Sequence, residues 1–230
     1  MYKIAIDIGH GTDTLGKRYI NGNDILIEHE FNSEVAKLVV EKFKLYSKEF
    51  EIMLVQKPNS PNVDLNYRIR QYNNRNVNMV YSIHGNANSN NNVNGACCFY
   101  WITSTSGRTL ANIHVDNLKK YGIKTHGDGI HISKSDSWTN MAICRSTKAV
   151  GFLTENGFFT NSNDRHKMQT VEYRDKIASV IVDDILEYYN VEKKIIINND
   201  SKLIIENESL KKENKRLQNI LKEINLLLKI

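Results

Sequence analysis

Tyr2-Lys3-Ile4-Ala5-Ile6-Asp7-Ile8 is an apolar run rich in β-branched residues that stops abruptly at Gly9-His10-Gly11. Such a run, bounded by glycine, reads as a strand. Similar runs recur at Phe50–Val55, Asn78–Ile83, Ala96–Ile102, Met141–Arg145 and Gly151–Glu155. Between them lie longer patterns of helical period, such as Phe31, Val35, Leu38, Val39 and Phe43, whose spacing of three and four puts them on one helix face. A last helix is predicted from about Thr170 to Tyr189. Strand-like runs alternating with helical ones predict an α/β fold, a mostly parallel twisted sheet of about six strands flanked by helices. The Gly-, Asn- and Ser-rich stretches Gly9–Asn23 and Gly85–Gly95 read as long loops beside strand ends, where function often resides.

With 230 residues and 40% hydrophobic content, the chain can bury one core and have length left over. No stretch approaches the roughly 18 to 20 apolar residues of a membrane span, so stable membrane insertion is not expected. The first residues lack a basic region followed by an apolar run, which predicts synthesis in the cytoplasm without a signal peptide. Cys97, Cys98 and Cys144 are odd in number, and two are adjacent in a strand-like run, so they read as core residues rather than a disulfide framework. The net charge of +5 and pI near 8.9 favour polyanions only weakly. Basic residues are scattered, no nucleic-acid-binding signature is present, and a nucleic-acid partner is not expected.

The chain changes character past Tyr189. Residues 190–201 read as a linker between a catalytic domain at 1–189 and a tail at 202–230. In the tail Leu203, Leu210, Leu217 and Ile224 recur every seven residues, with Asn207, Asn214, Leu221 and Leu228 four after each. Leu at d with Asn at two a positions predicts a C-terminal coiled-coil helix and a homo-oligomer.

Four polar residues fall at the ends of predicted elements: His10 after the first strand, Glu28 where the first helix begins, His84 at the end of the third strand and Glu155 at the end of the last. In a parallel sheet, His10, His84 and Glu155 emerge at the same carboxyl edge, where open α/β sheets place their ligand sites. Two imidazoles and one carboxylate suit a catalytic zinc with an open fourth position. Glu155 is then placed to carry protons for amide hydrolysis. From position alone, Glu28 competes with His29 and Glu30, both in the same first turn.

The stretches Ile6-Asp7-Ile8-Gly9-His10-Gly11, Glu28-His29-Glu30-Phe31-Asn32, Ser82-Ile83-His84-Gly85-Asn86-Ala87 and Leu153-Thr154-Glu155-Asn156-Gly157-Phe158-Phe159-Thr160-Asn161 resemble, in order and separation, motifs of the zinc-dependent N-acetylmuramoyl-L-alanine amidases of the amidase-3 type. The resemblance covers about Met1 to Tyr189. It implies a peptidoglycan hydrolase that cuts the amide between N-acetylmuramoyl and L-alanine, with one Zn2+ held by His10, Glu28 and His84, and Glu155 as the catalytic carboxylate. It selects Glu28 because the family's metal-binding Glu stands four residues before an Asn, here Asn32. It implies structural roles for Arg68 and Asn73. The sequence departs from the family pattern at Thr12, Gly85 and Asn156.

Peptidoglycan is the implied partner, and a phage or prophage endolysin acting on the wall after release is the implied setting, with a lytic enzyme of a sporulating bacterium similar in outline. An inactive wall-binding scaffold on the same fold and a zinc peptidase cutting another bond are the alternatives. Asp7 reads as a structural hydrogen-bond acceptor. His114, His126, His131 and His166 match no ligand position; His126 and His131 are candidates for the border of the substrate groove, and Arg145 for a contact with a stem-peptide carboxylate.

Overall fold

The computed structural model describes residues 1–194 and 213–217. In chain order it runs β1 (Tyr2–Ile8), β2 (Arg18–Asn21), β3 (Asp24–Ile27), α1 (Glu28–Phe43), β4 (Phe50–Met53), α2 (Leu65–Asn74), β5 (Met79–Asn86), β6 (Ala96–Trp101), α3 (Thr105–Lys120), β7 (Thr125–Ser133), α4 (Ala142–Ser146), β8 (Val150–Phe158), α5 (Ser162–Met168) and α6 (Val171–Tyr188). Met1–Glu192 forms one compact unit, and the chain from Lys193 onward forms another. Most of the predicted coiled coil lies outside the described residues; of its heptad positions only Asn214 and Leu217 fall within them, in a helical stretch at 213–217.

Six strands form one sheet in the order β4-β1-β5-β8-β6-β7, and β2 pairs with β3 as a separate hairpin. β4, β1, β5 and β8 run parallel. β6 is antiparallel to β8, and β7 follows β6 in parallel. The mostly parallel expectation therefore holds. The strands' carboxyl ends at β1, β5 and β8 share one edge.

Side-chain alternation divides the core between the two faces of the sheet. Ile4, Ile6, Ile8, Tyr81, Ile83 and Phe152 pack with the apolar faces of α1, α3 and α6. On the other face Ala5 and Val80 meet Ile69 and Tyr72 of α2, while Cys97, Phe99 and Leu153 meet Cys144 of α4. All three cysteines are free and buried. Each fully buried aliphatic or aromatic side chain contributes about 1.5–3 kcal/mol. Helix starts are marked in the sequence: the side chains of Asp64, Ser104, Asn161 and Thr170 accept a backbone N–H in the first turns of α2, α3, α5 and α6.

Two expected elements are corrected. Met141–Arg145 is not a strand but the approach to and body of α4, whose buried residues Ile143 and Cys144 are consecutive rather than alternating. The sixth strand is instead β7, inside what reads as a Gly-rich loop. Gly127 and Gly129 take positive φ there, and the pairing with β6 is irregular between Ala96 and Cys98, so the alternation that betrays a strand is broken. The long first loop also holds the β2–β3 hairpin, turning at Gly22 with φ 58°. Among the described residues no helix is long and apolar enough to cross a membrane.

A polar knot lies inside the larger core. Asp184 of α6 accepts from Tyr81 Oη of β5 (2.7 Å), His114 Nδ1 of α3 (2.7 Å) and Asn117 Nδ2 (3.0 Å). His114, assigned to no site from sequence, thus has a buried partner that joins three elements.

Candidate metal centre

His84 and Glu155 are register partners on β5 and β8. Paired residues on neighbouring strands share a face, so both side chains project on the α2–α4 side of the sheet. Both strands continue past them, β5 to Asn86 and β8 to Phe158, so neither residue ends its strand as the sequence reading placed it. His10 follows β1 on the turn at the same edge, and Glu28 is the first residue of α1, delivered there by the β2–β3 hairpin. The hairpin is itself anchored: Asp24 accepts from Arg165 Nε (2.9 Å) and Gln169 Nε2 (3.0 Å), and the Arg165 guanidinium lies 3.6 Å from the centroid of the Tyr19 ring.

The three side chains converge. Glu28 is fully buried, and its Oε1 lies 3.2 Å from His10 Nε2, 3.0 Å from His84 Nδ1 and 3.2 Å from the Gly85 N–H that donates to it. One ligand-type atom from each of His10, Glu28 and His84 can be chosen so that all lie within 4.8 Å of one another. The two imidazoles meet edge to face at 89°, with ring centroids 4.9 Å apart. Burial opposes ionisation of Glu28, but hydrogen bonds from His10 and His84 outweigh it and hold the carboxyl at about 2. Burial also keeps His10 below the usual imidazole range, whereas the Glu28 carboxylate overcomes burial and raises His84.

Glu155 behaves oppositely. Burial, against the pull of His84, pushes its carboxyl up to about 8. Two carboxyls near one sheet edge are thus shifted in opposite directions, an arrangement that separates a ligand from a proton carrier.

The donor set fits a cation. Glu28 Oε2 and Glu155 Oε2 are both shielded from solvent and accept no hydrogen bond. Buried carboxylate oxygens without a donor are costly unless a positive charge compensates them. Two imidazole nitrogens and one carboxylate are the ligand types of a catalytic zinc.

The turn carrying His10 is held by side chains from α1 and from the loop after β4. His10 takes φ 62°, the left-handed region that is sparsely occupied by residues other than glycine. Its carbonyl accepts from the buried Gln56 Nε2. The Gly9 carbonyl accepts from His29 Nδ1 (2.9 Å) and Asn32 Nδ2 (3.2 Å) of α1, and Ser33 Oγ donates to His29 Nε2 (3.3 Å). His29, a competitor for the ligand role, is therefore a clamp on the turn; Glu30 is exposed. Asn32 has a physical reason to follow Glu28 by four: one turn on, its amide holds the backbone that presents His10. The polar loop around Gln56 has no periodicity that would single it out.

The glycines flanking His10 are required by close approach. A Cβ on Gly9 falls 2.4 Å from His84 Cε1, and one on Gly11 falls 2.0 Å from the backbone nitrogen of Asn62. Gly9→Ala is expected to displace the His84 ring and weaken zinc binding by roughly 10- to 100-fold, the range for disturbed support of a ligand. Competition against a chromophoric chelator measures it. Unchanged affinity in a folded variant would show that His84 reaches the metal without this contact.

Residues 4–187 match the family model described as N-acetylmuramoyl-L-alanine amidase. The chain belongs to the amidase-3 family of N-acetylmuramoyl-L-alanine amidases. Members are generally zinc-dependent, and the His-Glu-His cluster supplies a possible metal site. Relatives include the N-acetylmuramoyl-L-alanine amidase LytC of Bacillus subtilis, 28% identical over 189 residues, covering 81% of this chain and 35% of LytC. A putative N-acetylmuramoyl-L-alanine amidase of Buchnera aphidicola is 25% identical over 236 residues, covering 84% of this chain and 97% of that protein. The chain thus spans about a third of the length of LytC. The catalytic domain of CwlV, an amidase from Paenibacillus polymyxa, has the same fold, with TM-score 0.73 at 24% identity over 84% of this chain and all of that domain.

Other residues singled out from sequence fall as follows. Arg68 and Tyr72 of α2 and Ser82 of β5 all donate to the buried Asp7 carboxylate. Asn73 ties α2 to the approach to β8 through Ser146 O (3.0 Å) and the Lys148 N–H (2.8 Å). Asn156 donates to the His84 carbonyl (3.0 Å), which gives that departure a role in bracing β5 against β8. At Gly85 a Cβ falls 2.8 Å from Met168 Cε, the end of a flexible side chain that can give way. Arg145 lies on α4 rather than near a strand end, and its guanidinium donates to Asn140. His166 is exposed, 3.7 Å from Asp24.

Proposed function

We propose that this chain hydrolyses the amide joining the lactyl group of N-acetylmuramic acid to L-alanine in peptidoglycan, with His10, Glu28 and His84 holding a zinc ion and Glu155 carrying the protons. The observation that carries this reading is the convergence of His10 Nε2, His84 Nδ1 and the Glu28 carboxylate, with Glu155 at the same sheet edge, its buried Oε2 accepting no hydrogen bond. Family membership supplies the bond.

Zinc in such a site provides Lewis acidity, which polarises a carbonyl and makes water nucleophilic at neutral pH. The chain's own residues do the rest. His10 on the turn after β1, Glu28 at the start of α1 and His84 on β5 present their donor atoms to one another. Glu155 takes one proton from the attacking water as its oxygen bonds to the carbonyl carbon. It returns that proton to the nitrogen as the carbon–nitrogen bond breaks, because an amide nitrogen leaves poorly unless protonated. A carboxyl whose burial moves it toward neutral pH can do both. The cleft on the α2 side, about 400 Å³ and bordered by His10, Asn62, Arg68, His84 and Leu153, is large enough to take part of a substrate chain.

The test is digestion of purified Gram-positive peptidoglycan with zinc-loaded protein, followed by analysis of new ends and of bound zinc in wild type and Glu28→Ala. New amino-terminal L-alanine, and zinc lost on Glu28→Ala, are expected. A different new end replaces the amidase by another zinc hydrolase. Full zinc retention in Glu28→Ala removes Glu28 from the ligand set.

A further inference from the structure

Glu155 separates two unlike surfaces on the same side of the sheet. Toward β1 lies the cleft already described. Toward β6 and β7 lies a continuous row of rings. Phe99 and Phe158 form its floor and are 1% and 2% exposed. His126 packs against Phe158 with centroids 5.1 Å apart and lies 5.8 Å from His131. His131 stacks on Phe99 at 5.1 Å and 26°. Trp138 meets Phe99 at 6.1 Å and 85°, and His131 at 5.7 Å and 65°, yet is itself 76% exposed.

Register fixes where this row sits. Cys97 pairs with Glu155 and Phe99 with Leu153, so Phe99 shares the Glu155 face one strand away. Phe99 also pairs with His131, and a break in register pairs Phe158 with Asn86, two residues beyond His84 and on its face. Leu153 and Met141 belong at once to the cleft lining and to the cluster around Phe99, so the row and the cleft are contiguous.

The exposed indole is held in place. Thr139 Oγ1 donates to the Ile132 carbonyl (2.8 Å), the Asn140 N–H to the Ser137 carbonyl (3.0 Å) and the Met141 N–H to Ser133 Oγ (3.0 Å). A large exposed aromatic on an anchored loop, packed beside other rings, is a candidate binding surface. Burial and the neighbouring His126 keep His131 below the usual imidazole range. A flat apolar face flanked by imidazole nitrogens suits a pyranose, which has an apolar C–H face and hydrogen-bonding groups at its rim.

We propose that the row is a glycan subsite, taking the N-acetylhexosamine next to the muramoyl residue, with its C–H face on Trp138 and its polar rim toward His131 and His126. The stem peptide then lies in the cleft bordered by His10 and Arg68. This assignment rests on the amidase reading, since the scissile bond has sugar on one side and peptide on the other.

Two measurements test it. In protein carrying Trp101→Phe, where Trp138 is the remaining indole, titration with the β-1,4-linked tetramer of N-acetylglucosamine should give a saturable fluorescence change that His131→Ala weakens. In kinetics on soluble muramoyl peptides with one stem peptide, Trp138→Ala should raise KM roughly tenfold for a tetrasaccharide, with kcat unchanged and partial rescue by Trp138→Phe. The monosaccharide peptide should be unaffected. No saturable titration, or an equal loss on both substrates, overturns the subsite. If the titration saturates while neither substrate is cleaved, the glycan subsite stands and the amidase reading fails.

Discussion

Replacing Glu155 by Gln is expected to slow peptidoglycan amide hydrolysis by roughly 10²–10⁴-fold, the usual worth of a positioned proton carrier, with zinc content unchanged. Gln keeps the shape and removes the capacity to accept a proton. Glu155 lies outside the converged set of His10, Glu28 and His84, so its loss should leave those donors in place. The pH dependence of stability separates this loss from misfolding. A carboxyl raised from 4.5 to about 8 in the folded chain disfavours folding increasingly as pH rises from its ordinary value, levelling off above about 8. Metal-free Glu155→Gln should therefore be at least as stable as wild type at pH 7. A denaturation midpoint below wild type, or zinc lost from the variant, assigns Glu155 a structural or ligand role; full activity assigns the proton to another group.

Asp7→Ala is expected to cost about 3–5 kcal/mol of folding stability, because it strands the Arg68 guanidinium in the core. Both members of this pair are buried beneath the metal centre. Burial pushes the Asp7 carboxyl up, but Arg68, Ser82 and Tyr72 more than offset it and leave the group below its ordinary 3.8. The sign follows: the contribution is present above pH 3.8 and is lost as pH falls through the depressed folded value. Urea melts across pH 2–7, roughly spanning that transition, should show the wild-type advantage over Asp7→Ala shrinking on the acid side. The double variant Asp7→Ala with Arg68→Met should recover much of the loss, since replacing both partners leaves no orphaned charge. If the double variant is no more stable than Asp7→Ala, the cost arises from the lost bonds to Ser82 and Tyr72 rather than from the stranded cation.

The strands that position the site were the easiest to read. β1, β5 and β8 are buried runs of β-branched and aromatic residues, and His10, His84 and Glu155 stand out as polar residues following those runs. α1 was legible through the three-four spacing of Phe31, Val35, Val39 and Phe43, all buried. β7 was not, because Gly127 and Gly129 interrupt its alternation, and Met141–Arg145 misled because its four-residue apolar run, Met141–Cys144, suits a buried strand or a short helix equally. The choice of Glu28 over His29 and Glu30 is a matter of rotation about α1, which composition does not express. Only packing reveals that His29 faces Gly9 while Glu28 faces the two imidazoles. Long-range supports such as Gln56, 46 residues from the carbonyl it holds, leave no local trace.

The left-handed turn at His10 has a further consequence. Its backbone is clamped by Gln56, His29 and Asn32, none of which touches the place where a cation would sit. The conformational entropy of ordering that turn is therefore settled when the chain folds, not when a metal arrives. Ion capture then requires little rearrangement of the peptide, and the intrinsic affinity of the donors reaches solution undiminished by a reorganisation term. The chain carries the shape of its metal site as a property of the fold itself.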